Sequence, residues 1–190
     1  MKIFTGVLIV GSLIASGVQA AQTQPKNVRP VYTYAGVKYM SQKLETDDYE
    51  CRQNGVAVDG SLDINGQVFV QAGLSDVSGG GCGSTSVNAA LGYRAAWGSN
   101  SHIYGTLGAQ QVSPDEGDSD TALLLGAGMR GYLVPGIEGY VQVNYTTLND
   151  GEVILSGGGA YWFNSDFAAT LDLGIGADQS SFAVGGRLAF

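Results

Sequence analysis

Residues 181–190 read SFAVGGRLAF. Phe182, Val184, Gly186, Leu188 and Phe190 share one parity; Ser181, Ala183, Gly185, Arg187 and Ala189 share the other. Alternate side chains of a strand project to opposite faces. The stretch is therefore a strand with one apolar face and one small or charged face, an arginine at its middle. The pattern recurs upstream. Ile137, Gly139, Val141, Val143 and Tyr145 oppose Glu138, Tyr140, Gln142, Asn144 and Thr146. Val87, Ala89, Leu91, Tyr93, Ala95 and Trp97 oppose Ser86, Asn88, Ala90, Gly92 and Arg94. Phe167, Ala169, Leu171, Leu173 and Ile175 oppose Ala168, Thr170, Asp172 and Gly174. No 3.6-residue stripe supplies a helix to cover the apolar parity. A soluble ligand-binding barrel would be apolar inside and polar outside. The economical reading is the inverse, a closed barrel whose apolar face meets lipid.

Ten alternating segments carry this reading: 31–42, 56–64, 67–75, 85–96, 102–112, 121–132, 137–147, 153–163, 167–175 and 181–190. Most have the roughly 9 to 11 residues of a tilted membrane strand. The predicted fold is an all-β, up-and-down antiparallel transmembrane barrel of ten strands. Eight is the alternative, because the second, third and ninth segments are short. One set of connections is tight and rich in asparagine, glycine and proline: 65–66, 97–101, 133–136 and 164–166. The other set is longer: 43–55, 76–84, 113–120, 148–152 and 176–180. It holds twelve of the seventeen acids, namely Glu45, Asp47, Asp48, Glu50, Asp76, Asp115, Glu116, Asp118, Asp120, Asp150, Glu152 and Asp178. Outer-membrane barrels pair short periplasmic turns with longer external loops, so the acidic end is expected to face outward and both termini inward.

Residues 1–20 read as a secretory signal: Lys2, an apolar stretch over 4–18, and the small-residue pattern Val18-Gln19-Ala20 before the cut. Residues 21–30 (AQTQPKNVRP) form a polar periplasmic tether, and 31–190 the barrel domain. Without Lys2 the chain has 8 basic against 17 acidic residues, a net charge of −9. That balance argues against nucleic-acid binding, which needs a basic footprint. Cys51 and Cys82 are the chain's two cysteines, and export to an oxidising compartment makes a disulfide the expected state. Cys51 falls in the first external loop and Cys82 in the second, which the ten-strand order makes neighbours.

The lumen parity collects Lys38, Arg94, Arg130 and Arg187 with Asp59, Asp63, Glu138 and Asp172. Such balance suits a narrow packed interior, where an unpaired charge is costly. Arg130 and Glu138 flank the 133–136 turn almost symmetrically and are expected to meet. Asp63, Arg94 and Arg187 are expected at one depth near the periplasmic end. Tyr93, Trp97, Phe163 and Phe167 form an outward aromatic girdle at that end. The acids at 115–120 (DEGDSD) lack EF-hand spacing; a solvated acidic rim is the leading reading, and a weak divalent-cation site, shared with lipopolysaccharide phosphates, the alternative. Catalysis is not supported. The single histidine, His102, follows a turn, its neighbour Ser101 points to the opposite face, and no GxSxG, HExxH, P-loop or paired-cysteine motif occurs. No cofactor or metal is expected.

Through VFVQAGLSD, ALGYRA, GIEGYVQVNY and the terminal RLAF, the chain resembles the small outer-membrane β-barrel proteins of Gram-negative bacteria. The likeness spans nearly all of residues 21–190 as a pattern rather than an invariant motif. It implies residence among outer-membrane lipid and lipopolysaccharide. It further implies that Phe190, with Leu188 and Phe182, is the signal read by the barrel-assembly machinery. The cysteines are not part of that pattern, and the active-site patterns of barrel proteases and lipid A modifying enzymes are absent. The leading expectation is a structural or surface-interaction role. A narrow cation-preferring channel and, behind it, a lipid- or peptide-modifying enzyme are the alternatives.

Overall fold

In the computed structural model, which describes residues 29–46, 49–80, 82–148 and 151–190, ten antiparallel strands close into a barrel. They are β1 (Tyr34–Thr46), β2 (Tyr49–Asp63), β3 (Val68–Ser78), β4 (Ser84–Ala96), β5 (Ser101–Pro114), β6 (Asp120–Val134), β7 (Ile137–Thr146), β8 (Glu152–Trp162), β9 (Phe167–Ile175) and β10 (Gln179–Ala189). Each strand pairs with its sequence neighbours, and β1 pairs with β10 from Tyr34↔Ala189 to Leu44↔Gln179. That seam removes the last sheet edge, as a spanning sheet requires. Ten strands, not eight, is the count. The signal segment 1–20 and all but the last two residues of the tether lie outside the described residues.

The parity assignments for the four quoted segments coincide with the exposure pattern. Leu91, Leu107, Val141, Leu173 and Leu188 are exposed on the outer wall, while Arg94, Arg130, Glu138 and Arg187 are buried within. The tight turns also close as their residues dictate. The Asn65 side chain accepts from the Gln67 and Val68 backbone amides at 3.1 and 2.8 Å, fixing the β2–β3 reversal. Asn164 does the same for Asp166 and Phe167 at 2.9 and 2.7 Å.

The strand ends depart from the sequence expectation. The 43–55 stretch is not a loop: β1 and β2 continue paired through Lys43↔Arg52, Leu44↔Cys51, Glu45↔Glu50 and Thr46↔Tyr49. The other acidic-end connections are 79–83, 115–119, 147–151 and 176–178; the third keeps its expected length, shifted by one residue, and the rest are shorter. Hydrophobic alternation stops where hydrocarbon stops, whereas backbone pairing continues with any side chain. The polar run therefore marks emergence from the apolar band, not the end of the strand. At the other end, β1 starts at Tyr34 rather than at residue 31. Val31, Tyr32 and Thr33 form no strand, and the Tyr32 side chain is buried.

Candidate functional site: a charge-paired lumen

Two kinds of interior meet in this barrel. Toward the tight turns the lumen is filled. The Glu138 carboxylate, 2% exposed, accepts through Oε1 from Arg130 Nε and through Oε2 from Trp162 Nε1 at 3.2 Å. Arg187 Nη1 stands 3.8 Å from the same Oε1. Arg130 and Glu138 sit diagonally across β6 and β7, where Arg130 pairs with Tyr140 and Tyr132 with Glu138. The expected meeting across the 133–136 turn is therefore seen. Arg94 Nη2 binds Asp63 Oδ2, and its Nε donates to the Gly66 carbonyl at 3.0 Å. Arg187 does not meet that pair; its carboxylate partner is Glu138. The stagger between strands, which a single sequence does not reveal, sets the depth at which each residue sits.

Higher up, Lys38 Nζ lies 3.0 Å from both Asp59 Oδ1 and Asp172 Oδ2, and the Tyr140 hydroxyl donates to Asp172 Oδ1 at 2.7 Å. All eight lumen charges therefore engage an opposite partner. Removing one member of such a pair leaves a buried charge uncompensated, which typically costs about 3 to 5 kcal/mol.

The aromatic packing was not foreseen. The Tyr32 ring has the Arg94 guanidinium 3.9 Å from its centroid and that of Arg130 at 5.0 Å. Tyr34 receives Arg187 at 4.0 Å. A cation over a desolvated ring is worth about 2 kcal/mol. Phe69 packs 4.8 Å from Tyr32, its ring lying over Gly92 directly across the β3–β4 pair. A methyl group at Gly92 would occupy that ring's space, which is why the position carries none. His102 is buried 5.7 Å from Tyr32, ring to ring, among these groups. Parity alone places Phe69 and Trp162 inward. Tyr32 shares the Lys38 parity of the 31–42 segment, but nothing in the alternation marks its place beside two guanidiniums.

Toward the loops the lining turns to amides and hydroxyls. Tyr104 donates to Gln142 Oε1 at 2.7 Å, Gln142 to Asn144, and Asn144 to Ser156 Oγ at 3.5 Å. Ser75 and Ser86 hydroxyls lie 2.8 Å apart, and Gln179 bridges Gln42 and Glu152 at 3.1 and 2.6 Å. Between the two zones lies a polar cavity of about 140 Å³, bordered by Tyr32, Ser61, Lys38, Arg130, Tyr140 and Arg187 among others. A water needs some 10 to 15 Å³ on that measure, so it has room for roughly ten.

Cys51 and Cys82 are disulfide-bonded, their Cα atoms 6.4 Å apart. The bond does not strap a long loop over the mouth. Cys51 lies on the inner side of β2, and the bond holds the 79–83 connection against that strand. Gln53 Nε2 adds a hydrogen bond to the Cys82 carbonyl. Tyr93, Trp97, Phe163 and Phe167 are exposed at the turn end, and Phe163 stacks on Phe167 at 5.6 Å. Phe182, Leu188 and Phe190 are exposed on the outer wall. Asp115, Glu116, Asp118 and Asp120 are exposed at the opposite rim. Glu45 belongs to β1 but its side chain, with Asp47, Asp48 and Asp150, lies outside the described set.

No family model matches this chain, and no characterised protein matches it in sequence. Solved structures do. An outer-membrane channel from Pseudomonas putida F1 superposes with a TM-score of 0.58 at 12% identity, over 85% of this chain and 96% of that one. The KdgM porin gives 0.48 at 12% identity, over 82% and 99%. Ail, the attachment invasion locus protein of Yersinia pestis, gives 0.45 at 14% identity, over 84% and 99%. At such identities the likeness is one of fold: the chain has the architecture of the outer-membrane β-barrels.

Proposed function

We propose that this protein resides in the outer membrane as a sealed, charge-paired barrel with a structural or surface-interaction role, neither a conduit nor an enzyme. One observation carries the reading. All eight lumen charges are engaged by opposite partners, and Tyr32 is seated between two of the guanidiniums at the turn end. Residues 1–20 direct export, the turn end and both termini face the periplasm, and the acidic rim faces outward. Phe182, Leu188 and Phe190 present the assembly machinery with its signal, while Tyr93, Trp97, Phe163 and Phe167 sit at the headgroup level. The non-catalytic part of the reading is supported by His102, which is buried among Arg94, Arg130 and Tyr32 rather than open to the external rim where an envelope substrate would arrive.

Conductance across planar bilayers tests this directly. The reading expects no stepwise current from the wild-type barrel and a measurable leak from Tyr32→Ala, which empties the turn-end floor. Steady wild-type openings that reverse toward cations would replace it with the second reading, a narrow cation-preferring channel. That alternative draws its support from the exposed acids at the rim and the polar lining below them. His102→Ala is expected to be silent in envelope assays; loss of an activity with the fold intact would revive the enzymatic reading.

A further inference from the structure

The geometry points to a buried binding site for one small monovalent anion, of the carboxylate or halide class, between Arg130 and Arg187. Those two guanidiniums share a single carboxylate, and that carboxylate is saturated. Glu138 Oε1 already faces Arg130 Nε and Arg187 Nη1, and Oε2 accepts from Trp162. The cluster therefore carries one uncompensated positive charge. Among the described residues, Arg130 Nη2 and Arg187 Nε are buried with no hydrogen-bond partner, and so are the hydroxyls of Tyr32 and Ser61. All four side chains border the same cavity of about 140 Å³. Four orphaned polar groups, each able to donate, and a local charge excess are the complement of an anion that can accept from several directions.

The cavity's other pole is opposite in sign. There Lys38 lies between two carboxylates, Asp59 and Asp172, which leaves an excess of one negative charge. An anion is thus held at the arginine pole and repelled from the Lys38 pole. Tyr32, Phe69 and the turn-end packing close the route from below, so the ligand enters from the loop side.

The chain supplies its own reporter. It has two tryptophans, Trp97 exposed in a turn and Trp162 buried with its indole on Glu138. In a Trp97→Phe barrel refolded in detergent and excited beyond the tyrosine absorption band, Trp162 alone emits and bulk iodide cannot collide with it. Titrating iodide at constant ionic strength should quench Trp162 along a saturating curve, and acetate should restore the emission competitively. Adding Arg187→Gln should raise the half-saturation concentration about tenfold or more, and adding Glu138→Gln should lower it by a similar factor. The second shift runs opposite to what a merely damaged barrel would give. Quenching that is absent, or linear in iodide, overturns the proposal and leaves the cavity to water. So does saturation that acetate cannot reverse. The acetate competition needs neither charge variant, so a variant that fails to refold leaves the test standing.

Discussion

The turn half and the loop half of this lumen share a sheet, a strand count and a diameter, yet they are built on different terms. The turn half is filled by Tyr32, Phe69, Trp162 and the arginines around Glu138 and Asp63, each touching several others. The loop half is lined by short amide and hydroxyl contacts, such as Ser75 with Ser86. Charge in a low-dielectric interior interacts strongly and is costly to orphan, whereas a neutral pair beside water contributes little net. The stability of the barrel should therefore be concentrated toward the turns, leaving the loop half free to vary.

The sharpest test is Glu138→Ala, which strands two guanidiniums and an indole N–H; it should cost about 3 to 5 kcal/mol in urea-dependent unfolding from detergent. A loss below 1 kcal/mol would break the comparison. At the other end, Cys51→Ser with Cys82→Ser removes a cross-link spanning 31 residues. The chain-entropy model assigns it about 3 to 4 kcal/mol. The change should leave hydrogen-exchange protection of β6 and β7 near the Arg130–Glu138 pair unaltered; loss of protection there would show that the halves are coupled. Gly92→Ala, which drives a methyl group into the Phe69 ring, should cost about 1 to 3 kcal/mol by the same urea assay. Smallest, Ser75→Ala should cost about 0.5 to 1 kcal/mol, since the hydroxyl it orphans can turn to water. A cost for Ser75→Ala equal to that for Gly92→Ala would erase the distinction.

How much of this was legible follows from what repeats. Period-two alternation revealed the faces, so Leu188 and Arg187 were assigned to opposite sides without a structure. The 133–136 turn brought Arg130 toward Glu138 because a hairpin makes pairing nearly a matter of counting. The partner of Arg187 is not legible in the sequence, because Glu138 lies three strands away around the wall and stagger between distant strands leaves no trace in local order. Cys51 lies in a strand although its surroundings are polar, because polarity marks the edge of the apolar band and not the end of backbone pairing. Tyr32 falls on the Lys38 parity of the 31–42 segment, yet alternation does not show that this stretch lies before the ladder and seats its ring beside two guanidiniums.

The position of Tyr34 also orders events during biogenesis. Thr33 accepts, through its carbonyl, the amide of Phe190 at 3.4 Å, and Tyr34, opposite Ala189 and beneath the Arg187 guanidinium, starts the closing seam. A portion of the polypeptide synthesised early therefore takes its final place only once β10 has arrived. Protection of this tyrosine is a timestamp for completed closure.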